Sequence, residues 1–273
     1  MTKLLSGTEL VGYIQERQAR QVRALRQASR IFPRLVIIKS VHASPVIDTY
    51  IRMKQRYAEE ILIESAVETL AVADMPAAIE RLNGDPLVHG IIVQLPLDDP
   101  SMTDSIVDMI APEKDVDGLG KGAHYDSATA TAINWLLSGY AIDLKNKVIT
   151  IVGNGRLVGA PLAKIWQQSG YDVTIVDDTT PNIADSVYAS DVIVTATGVP
   201  GLIVSDMIQI GATIVDAGTA SENGVIVGDV DSAVYERDDI NITPVKGGVG
   251  PLTIAALCDH VIQSASKIAE AQK

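Results

Sequence analysis

The stretch VITIVGNGRLVGAP, residues 148–161, decides the fold of this chain. Its apolar, largely β-branched start is typical of a buried strand, and its end is typical of the first turn of a helix. Between the two, Gly153, Gly155 and Gly159 have the spacing G-x-G-x-x-x-G. Glycines let the backbone approach a phosphate closely, and a helix N-terminus supplies free N–H groups. The stretch therefore predicts a dinucleotide-binding loop, and its alternative is a tight strand–helix turn without a ligand.

A carboxylate follows this loop where a dinucleotide-binding unit needs one. The next strand, DVTIVDD, brings Asp177 into place 18 residues after Gly159. A carboxylate there accepts hydrogen bonds from the adenosine ribose and repels a 2′-phosphate, which favours NAD over NADP. Three alternatives stay open. Asp178 faces the ribose instead, Arg156 neutralises a 2′-phosphate, or the aspartate only caps a turn.

Strand and helix patterns alternate along the whole chain. Before residue 120, the runs RLVIIKSV and HGIIVQLPL indicate strands, and TYIRMKQRYAEEILIESA and MPAAIERLNGD have helical spacing. After residue 145, five strands alternate with short helices, and they are KVITIVGNG, DVTIVDD, SDVIVTATG, GATIVDAG and INITPV. This alternation predicts an α/β fold with parallel, helix-covered sheets.

The pattern predicts two α/β domains, of which the second is Rossmann-like. We expect residues 1–120 to form the first domain, with the last helix, residues 252–273, packing back on it. Residues 121–251 then form a linker helix and the dinucleotide-binding domain. Because ligands of such folds bind at the carboxyl ends of the strands, the expected site is a cleft between the two domains.

Composition excludes several classes of function. The net charge of −12 disfavours a nucleic acid partner, and the aromatic content of 4% gives few stacking platforms for bases. No apolar run approaches the ~18 residues that span a bilayer, so we expect no membrane partner. The only cysteine, Cys258, lies in an apolar helical pattern typical of a core, and the four histidines lack metal-ligand spacing. We predict no metal and a reducing, cytoplasmic location.

Four polar residues of the first domain are candidates for one site. Tyr50 and Lys54 are four apart on one helix face, Gln94 ends a strand, and Asp117 lies in PEKDVDG. Taken singly, each has a plainer interpretation as a packing residue, a solvated charge or a strand-end cap. At the carboxyl ends of the sheet, however, the four side chains can converge.

Several stretches together resemble the bifunctional methylenetetrahydrofolate dehydrogenase/methenyltetrahydrofolate cyclohydrolase family. They are YIRMK, GIIVQLPL, PEKDVDG, VGNGRLVGAP, ENGVIVGDVD and TPVKGGVGPLT, and they follow one another in the family's order. The resemblance implies oxidation of 5,10-methylenetetrahydrofolate with NAD(P) and hydrolysis of the product to 10-formyltetrahydrofolate. It also implies a homodimer joined through the nucleotide domains.

The resemblance assigns a role to each matching residue. Tyr50 would stack on the aminobenzoyl ring, Lys54 would be the general acid and base of the hydrolysis, and Gln94 would orient Lys54. Asp117 would bond the pterin edge. Gly248 and the stretch from Pro251 to Thr253 would line the place where folate meets nicotinamide. The candidates for cofactor binding are Gly153, Asn154, Gly155, Arg156, Gly159, Asp177, Thr197 and Gly198.

The chain also departs from the family. Ile47 replaces a serine, and Asn154 and Gly155 replace an Arg-Ser pair that commonly holds a 2′-phosphate, which again favours NAD. The linker before the second domain is shorter, and only Thr129 survives from its P-C-T-P motif. Lys246 replaces a proline, where it reaches a phosphate or the glutamate tail of the folate, or faces solvent.

Four functions remain open from the sequence alone. The favoured one is the bifunctional enzyme, and the second is a dehydrogenase that has lost the hydrolysis because of its altered linker. The third is a non-catalytic protein that binds nucleotide and folate. The fourth is a dehydrogenase acting on an amino or hydroxy acid, for which a convincing Arg or Lys pair is missing.

Overall fold

Two parallel sheets organise the chain. The computed structural model describes residues 3–222 and 225–271. The smaller sheet lies in a unit of Gly12–Ala128 and residues 254–271, which we call the three-stranded unit. The larger sheet lies in a unit of residues 3–11 and Thr129–Thr253, which we call the six-stranded unit. The predicted α/β class with two units is thus confirmed.

The sheet of the three-stranded unit has its first strand in the middle. The strands are β2 (Arg34–Ser40), β3 (Glu64–Leu70) and β4 (Gly90–Val93), in the order β3-β2-β4, and both pairs are parallel. The helices are α2 (Pro45–Glu60), α3 (Met75–Gly84) and α4 (Thr103–Val107). Because the strand order reverses between β2 and β4, their carboxyl ends open a crevice, where such folds bind ligands.

Aliphatic side chains fill the space between this sheet and its helices. Ile38 and Ile91 of the sheet pack with Met75 and Ile79 of α3, and all four are almost completely buried. Each such side chain contributes roughly 1.5–3 kcal/mol when it leaves water. This core makes the strand ends a rigid platform for the polar residues that follow them.

The six-stranded sheet is parallel throughout. In the order β1-β11-β8-β7-β5-β6, its strands are Lys3–Leu4, Asn241–Ile242, Thr213–Asp216, Val192–Thr195, Ile149–Val152 and Val173–Val176. Helices α6 (Gly159–Gln168) and α7 (Ile183–Tyr188) connect its strands. The order reverses between β5 and β7, so the predicted loop after β5 lies at the switch point of this sheet.

Three helices have residues in both units. They are α1 (Gly7–Ala24), α5 (Ala128–Gly139) and α8 (Val249–Ala271). Short helical turns complete the fold, a π-helical one at Leu25–Ser29 and 3-10 turns at Val72–Asp74, Pro100–Met102, Ser205–Met207 and Ser232–Glu236. Ser6 caps the start of α1, since the Glu9 N–H donates to Ser6 Oγ at 3.3 Å.

One predicted helix is too long. The spacing predicts a helix from Thr49 to Ala66. In the structure, α2 ends at Glu60 and the chain turns at Leu62, which has φ of 66°. The residues after the turn form β3. The sequence hid this strand because β3 is an edge strand, with an exposed Glu64 and a half-buried Glu68 in place of a continuous apolar run.

Two features of the six-stranded unit were also missed. The sequence pattern predicts residues 3–11 in the first domain, whereas Lys3 pairs with Asn241 and the Ser6 N–H donates to Tyr140 Oη at 2.9 Å. A strand of two residues gives no periodic signal. The second feature is an antiparallel pair, β9 (Ala220–Glu222) with β10 (Val225–Val227). Within the ENGVIVGDVD stretch, residues 223 and 224 lie outside the described part.

Candidate active site

A buried lysine occupies the crevice side of the three-stranded unit. Lys54 lies on α2 with 9% of its surface exposed, and its Nζ donates to Gln94 Oε1 at 2.8 Å. Gln94 directly follows β4, and its backbone N–H donates to the Ile38 carbonyl of β2. Burial lowers the pKa of Lys54, and the charge of Asp117 opposes this only in part. An amine in this setting exchanges protons more readily near neutrality than an exposed lysine.

Two charged residues of the PEKDVDG motif, Lys114 and Asp115, hold the backbone in place. Lys114 Nζ donates to the carbonyls of Leu82, Asn83 and Asp85, which end α3. The Asp115 carboxylate accepts from the N–H groups of Gly118 and Gly120 and so closes the turn.

Asp117 is the member of the motif that stays available. Its half-buried carboxylate lies near enough to Lys54 for its charge to raise the pKa of the amine. The structure therefore brings Lys54, Gln94 and Asp117 together, and it assigns Lys114 and Asp115 to holding the chain in place.

Tyr50 lies one helical turn before Lys54 and is half-buried. Burial raises the pKa of its phenol, so the ring offers a neutral, largely apolar face. Ile47, which stands in place of the family's serine, is buried with 6% exposure. Near the start of α2, a buried apolar side chain thus stands where the family has a hydroxyl.

Cys258 is completely buried on α8, as its apolar pattern predicted. The sequence did not indicate its neighbour. The Lys54 ammonium opposes the effect of burial on the thiol, whose pKa is still raised to about 12. A neutral thiol therefore forms part of the low-polarity surroundings of Lys54.

The shortened linker packs against His260, which in turn bonds the residue that precedes Asp117. The rings of Tyr125 and His260 stack, with centroids 4.8 Å apart and an angle of 15° between their planes. His260 Nδ1 lies 2.8 Å from the Val116 carbonyl, and since a carbonyl only accepts, this nitrogen is the donor. Thr129, the surviving threonine of the linker motif, is half-buried in α5.

The glycine loop after β5 is shaped by two of its three glycines. Gly153 has φ of 99°, and a Cβ there would approach the Ala196 carbonyl oxygen at 2.7 Å. A Cβ on Gly159 would collide with the Gly153 carbonyl, so α6 needs a glycine to pack closely on the loop. Gly155 differs from both, because the nearest atom to its Cβ would be Ala196 O at 3.9 Å.

A cavity of about 810 Å³ opens beside this loop, within the six-stranded unit. Its walls come from the segments that follow β5, β6 and β7, as expected at a switch point. The predicted cofactor residues that line it are Gly153, Asn154, Gly155, Asp177 and Thr197. The volume and the glycine-rich wall fit a nucleotide. No sequence motif indicates the apolar part of the wall, which includes Pro181, Ile183, Leu202 and Met207.

Asp177 and Asp178 both line the cavity, so the structure does not choose between them. Asp177 Oδ1 accepts from the N–H of Thr179 at 3.0 Å and from its hydroxyl at 2.6 Å, and these bonds lower the pKa of the carboxyl. The turn-capping alternative is thus realised. It coexists with a place on the cavity wall, since the two bonds use one carboxylate oxygen.

The remaining predicted residues lie outside the cavity wall. Arg156 is half-buried, and Gly198 has φ of 72°, which a glycine adopts without strain. At the start of α8, Gly248 is buried, Pro251 is half-buried, and the Thr253 hydroxyl donates to the Val249 carbonyl. These last three belong to the six-stranded unit. Lys246 is exposed.

Residues 3–222 and 225–271 offer neither a candidate membrane span nor a candidate metal cluster. None of the helices in these ranges is long and apolar enough to cross a membrane. The same ranges contain no group of three His, Cys, Asp or Glu side chains that could hold a metal ion.

The fold and the two sites define a class, the two-part α/β proteins with a dinucleotide-type cavity at the switch point of one sheet. Family models sharpen this. The model described as tetrahydrofolate dehydrogenase/cyclohydrolase, catalytic domain, matches residues 5–117, and the one described as its NAD(P)-binding domain matches residues 127–269. The chain belongs to the tetrahydrofolate dehydrogenase/cyclohydrolase family.

Relatives and solved structures agree over nearly the full length. The chain is 34% identical to a bifunctional protein FolD of Sulfurovum sp., over 97% of this chain and 99% of the relative. It is similar to the crystal structure of the bifunctional FolD enzyme of Campylobacter jejuni, with a TM-score of 0.91, 34% identity and coverage of 98% and 100%. A Trypanosoma brucei FolD complexed with NADP cofactor and inhibitor gives a TM-score of 0.91 at 29% identity, with 98% of each chain covered.

Proposed function

We propose that this chain oxidises 5,10-methylenetetrahydrofolate to 5,10-methenyltetrahydrofolate with NAD, and hydrolyses that product to 10-formyltetrahydrofolate. Both reactions belong to one-carbon folate metabolism. One observation carries the proposal. In a chain whose two parts match the two domains of the family, Lys54 is buried, bonded to Gln94 and close to Asp117.

In the hydrolysis, Lys54 would move protons. Water adds to the methenyl carbon, and the neutral amine of Lys54 accepts the proton that the water loses. The bond between this carbon and N5 then breaks as the ammonium gives its proton to N5, and the hydroxyl proton of the adduct is released to solvent as the formyl C=O forms. Gln94 Oε1 orients Nζ by accepting a hydrogen bond from it. Burial favours the neutral amine before the reaction.

In the oxidation, the protein mainly aligns its ligands. NAD, when bound, accepts the hydride that leaves the methylene carbon. The neighbouring folate nitrogens stabilise the resulting cation, so a strong acid or base is not required. We assign Tyr50 to the aminobenzoyl ring and Asp117 to the pterin edge, and the cavity of the six-stranded unit to the nucleotide.

We propose NAD as the preferred cofactor. The cavity wall carries Asp177 and Asp178, and it presents Asn154 and Gly155 where the family commonly has an Arg-Ser pair. A carboxylate about 4 Å from a 2′-phosphate opposes binding by up to about 4 kcal/mol before screening.

Retention of Lys54 favours the bifunctional enzyme over a dehydrogenase alone. Burying an amine is unfavourable, and the charge of Asp117 compensates for the burial of Lys54 only in part. A protein that only binds the two ligands would not need a proton carrier.

The test is a steady-state comparison of NAD and NADP with methylenetetrahydrofolate, together with the rate of methenyltetrahydrofolate hydrolysis. We expect turnover with a higher kcat/KM for NAD, and hydrolysis that Lys54→Ala abolishes. A preference for NADP would refute the cofactor assignment. Absent hydrolysis in the wild type would leave a dehydrogenase alone, and binding of both ligands without turnover would leave a non-catalytic protein.

We also propose a homodimer formed through the six-stranded units, in the cytoplasm. Large apolar side chains are exposed on these units, among them Ile210 at 80% and Tyr188 at 58%. Sedimentation equilibrium of the full chain should give twice the monomer mass of 29.0 kDa. A monomer at micromolar concentration would contradict this.

A further inference from the structure

A buried aspartate lies behind the wall of the nucleotide cavity. Asp229 follows β10, is completely buried, and does not line the cavity. Its Oδ2 accepts two short hydrogen bonds, from the Thr195 hydroxyl at 2.6 Å and from the Thr197 backbone N–H at 2.6 Å. Thr195 ends β7, and Thr197 is part of the cavity wall. One carboxylate oxygen thus holds both ends of the segment that turns from the sheet into the wall.

The surroundings fix this carboxylate in place. The Asp229 backbone N–H donates to Asp216 Oδ1 at 3.1 Å, and the same oxygen accepts from the Gly218 N–H at 2.9 Å. A Cβ on Gly218 would collide with the Asp229 carboxylate, and a Cβ on Gly228 would collide with that of Asp216. A side chain at either glycine would therefore displace one of the two carboxylates.

The second oxygen of Asp229 is left without compensation. Within the part of the chain that the structure describes, Asp229 Oδ1 is buried and has no hydrogen-bond partner. An unsatisfied buried oxygen disfavours folding, and in native proteins such groups often have a functional reason. Since Oδ2 reaches only the Thr195–Thr197 segment, the function of the residue should be found there.

We propose that Asp229 is a positioning residue of the dehydrogenase reaction. It keeps the Thr195–Thr197 segment in the conformation that receives the nucleotide, and it acts through Thr197 without touching the nucleotide. The proposal rests on the proposed function, because it takes NAD as the ligand of this cavity. It also gives a role to the GDVD part of the ENGVIVGDVD motif.

The test measures NAD and NADH affinity of the full chain by titration of NADH fluorescence and by competition with NAD. Asp229→Leu removes both bonds, and we expect the Kd for NADH to rise about tenfold or more, the factor that the loss of a hydrogen bond to a charged group gives. Asp229→Leu should raise the KM for NAD by a larger factor than it lowers kcat, because the bound nucleotide is still positioned for hydride transfer.

A milder pair guards against a variant that fails to fold. Thr195→Val removes one donor at nearly constant volume and should weaken NADH binding, whereas Thr195→Ser keeps the hydroxyl and should restore it. Thr150→Val is the matched control. Thr150 is an equally buried threonine of β5, and its hydroxyl contacts Ser186 and Ser190 away from the cavity. We expect its Kd to equal that of the wild type.

The hydrolysis of methenyltetrahydrofolate separates the two ways of failing. It needs no nucleotide, so it should stay at the wild-type rate in the Thr195 variants. A wild type that does not bind NADH would refute the proposed function itself. A wild type that binds NADH, with Thr195→Val binding equally well, would overturn the role of Asp229. Equal weakening in Thr150→Val would also overturn it, because the effect would then be one of general stability.

Discussion

Lys54 shows how one residue acquires its chemistry from its surroundings. The side chain is buried, its Nζ bonds an amide oxygen, and its pKa is lowered mainly by desolvation. Because the neutral amine is the proton acceptor, the hydrolysis rate should rise with pH around a midpoint below 10.5, the ordinary value. Lys54→Gln should lose the rise and reduce kcat by about 100-fold or more. The pH dependence of kcat for methenyltetrahydrofolate hydrolysis measures both.

Gln94 offers a second way to test the same midpoint. Gln94→Glu puts a carboxylate beside Nζ, which stabilises the ammonium and should move the midpoint to higher pH. Gln94→Leu leaves the burial but removes the bond, so it should lower kcat without moving the midpoint upward. A pH profile that is identical in the wild type and in Gln94→Glu would show that Lys54 is not the titrating group.

The sequence indicated which residues form this site, but not which charged residues of its motifs bond the backbone instead. Spacing and the family resemblance singled out Lys54, Gln94 and Asp117, which the structure brings together. It gave no sign that Lys114 and Asp115, in the same motif, serve helix and turn. A charge in a motif looks the same whether it meets backbone carbonyls or substrate, and only the fold decides which it meets.

At the scale of elements, the end of α3 depends on a cation from another segment. Lys114 Nζ donates to three carbonyls at 2.7–2.9 Å, and two of them, those of Leu82 and Asp85, also accept a backbone N–H. Lys114→Met keeps the apolar stem but removes three charge-assisted hydrogen bonds. We expect a loss of about 3 kcal/mol in the free energy of unfolding, measured by urea denaturation.

The matched control is Lys121→Met. Lys121 pairs with Asp108 at 2.9 Å, but its side chain is 82% exposed. Such surface pairs contribute about 1 kcal/mol or less, so this variant should stay close to the wild type. Equal losses in both variants would mean that Lys114 is no more than a surface charge.

In the three-stranded sheet, a neutral histidine bonds the start of the central strand, β2. His89 Nδ1 accepts from the Arg34 N–H at the start of β2, and burial, the largest cause, lowers the pKa of His89 to about 4. The folded pKa lies below the ordinary 6.5, so this stabilisation is complete above pH 6.5 and is lost as pH falls towards 4. After allowance for partial solvation, the loss is on the order of 2 kcal/mol.

Urea denaturation at pH 7 and at pH 4 measures this acid sensitivity. His89→Gln keeps an acceptor but cannot be protonated, so its unfolding free energy should fall less than that of the wild type over this range. His42→Gln is the control, because His42 is exposed. If His89→Gln lost as much stability as the wild type, acid would act on other groups.

The elements themselves were predictable where their signal was strong. Buried strands such as β5 and β7 gave apolar β-branched runs, and α3 was bounded by its proline and its glycine. The edge strand β3 and the two-residue β1 were missed, because sequence-distant partners stabilise them and their own periodicity is weak.

At the scale of the whole molecule, the two units divide the proposed chemistry. The lysine site is built within the three-stranded unit and the nucleotide cavity within the six-stranded unit. In the proposed function, hydrolysis uses the lysine site, whereas oxidation also uses the nucleotide cavity. Variants of the cavity should therefore change the oxidation and leave the hydrolysis unchanged.

A cofactor-switching variant tests this division. Asn154→Arg with Gly155→Ser supplies a cation and a hydroxyl for a 2′-phosphate, and there is room for the serine, since the atom nearest to its Cβ would be 3.9 Å away. We expect kcat/KM for NADP to rise at least about tenfold, the gain from one charge-assisted hydrogen bond. Hydrolysis should stay within about twofold of the wild type. Lys54→Gln should do the reverse, abolishing hydrolysis while the Kd for NADH is unchanged. If each change impaired both measurements equally, the separation of the two functions between the units would be wrong.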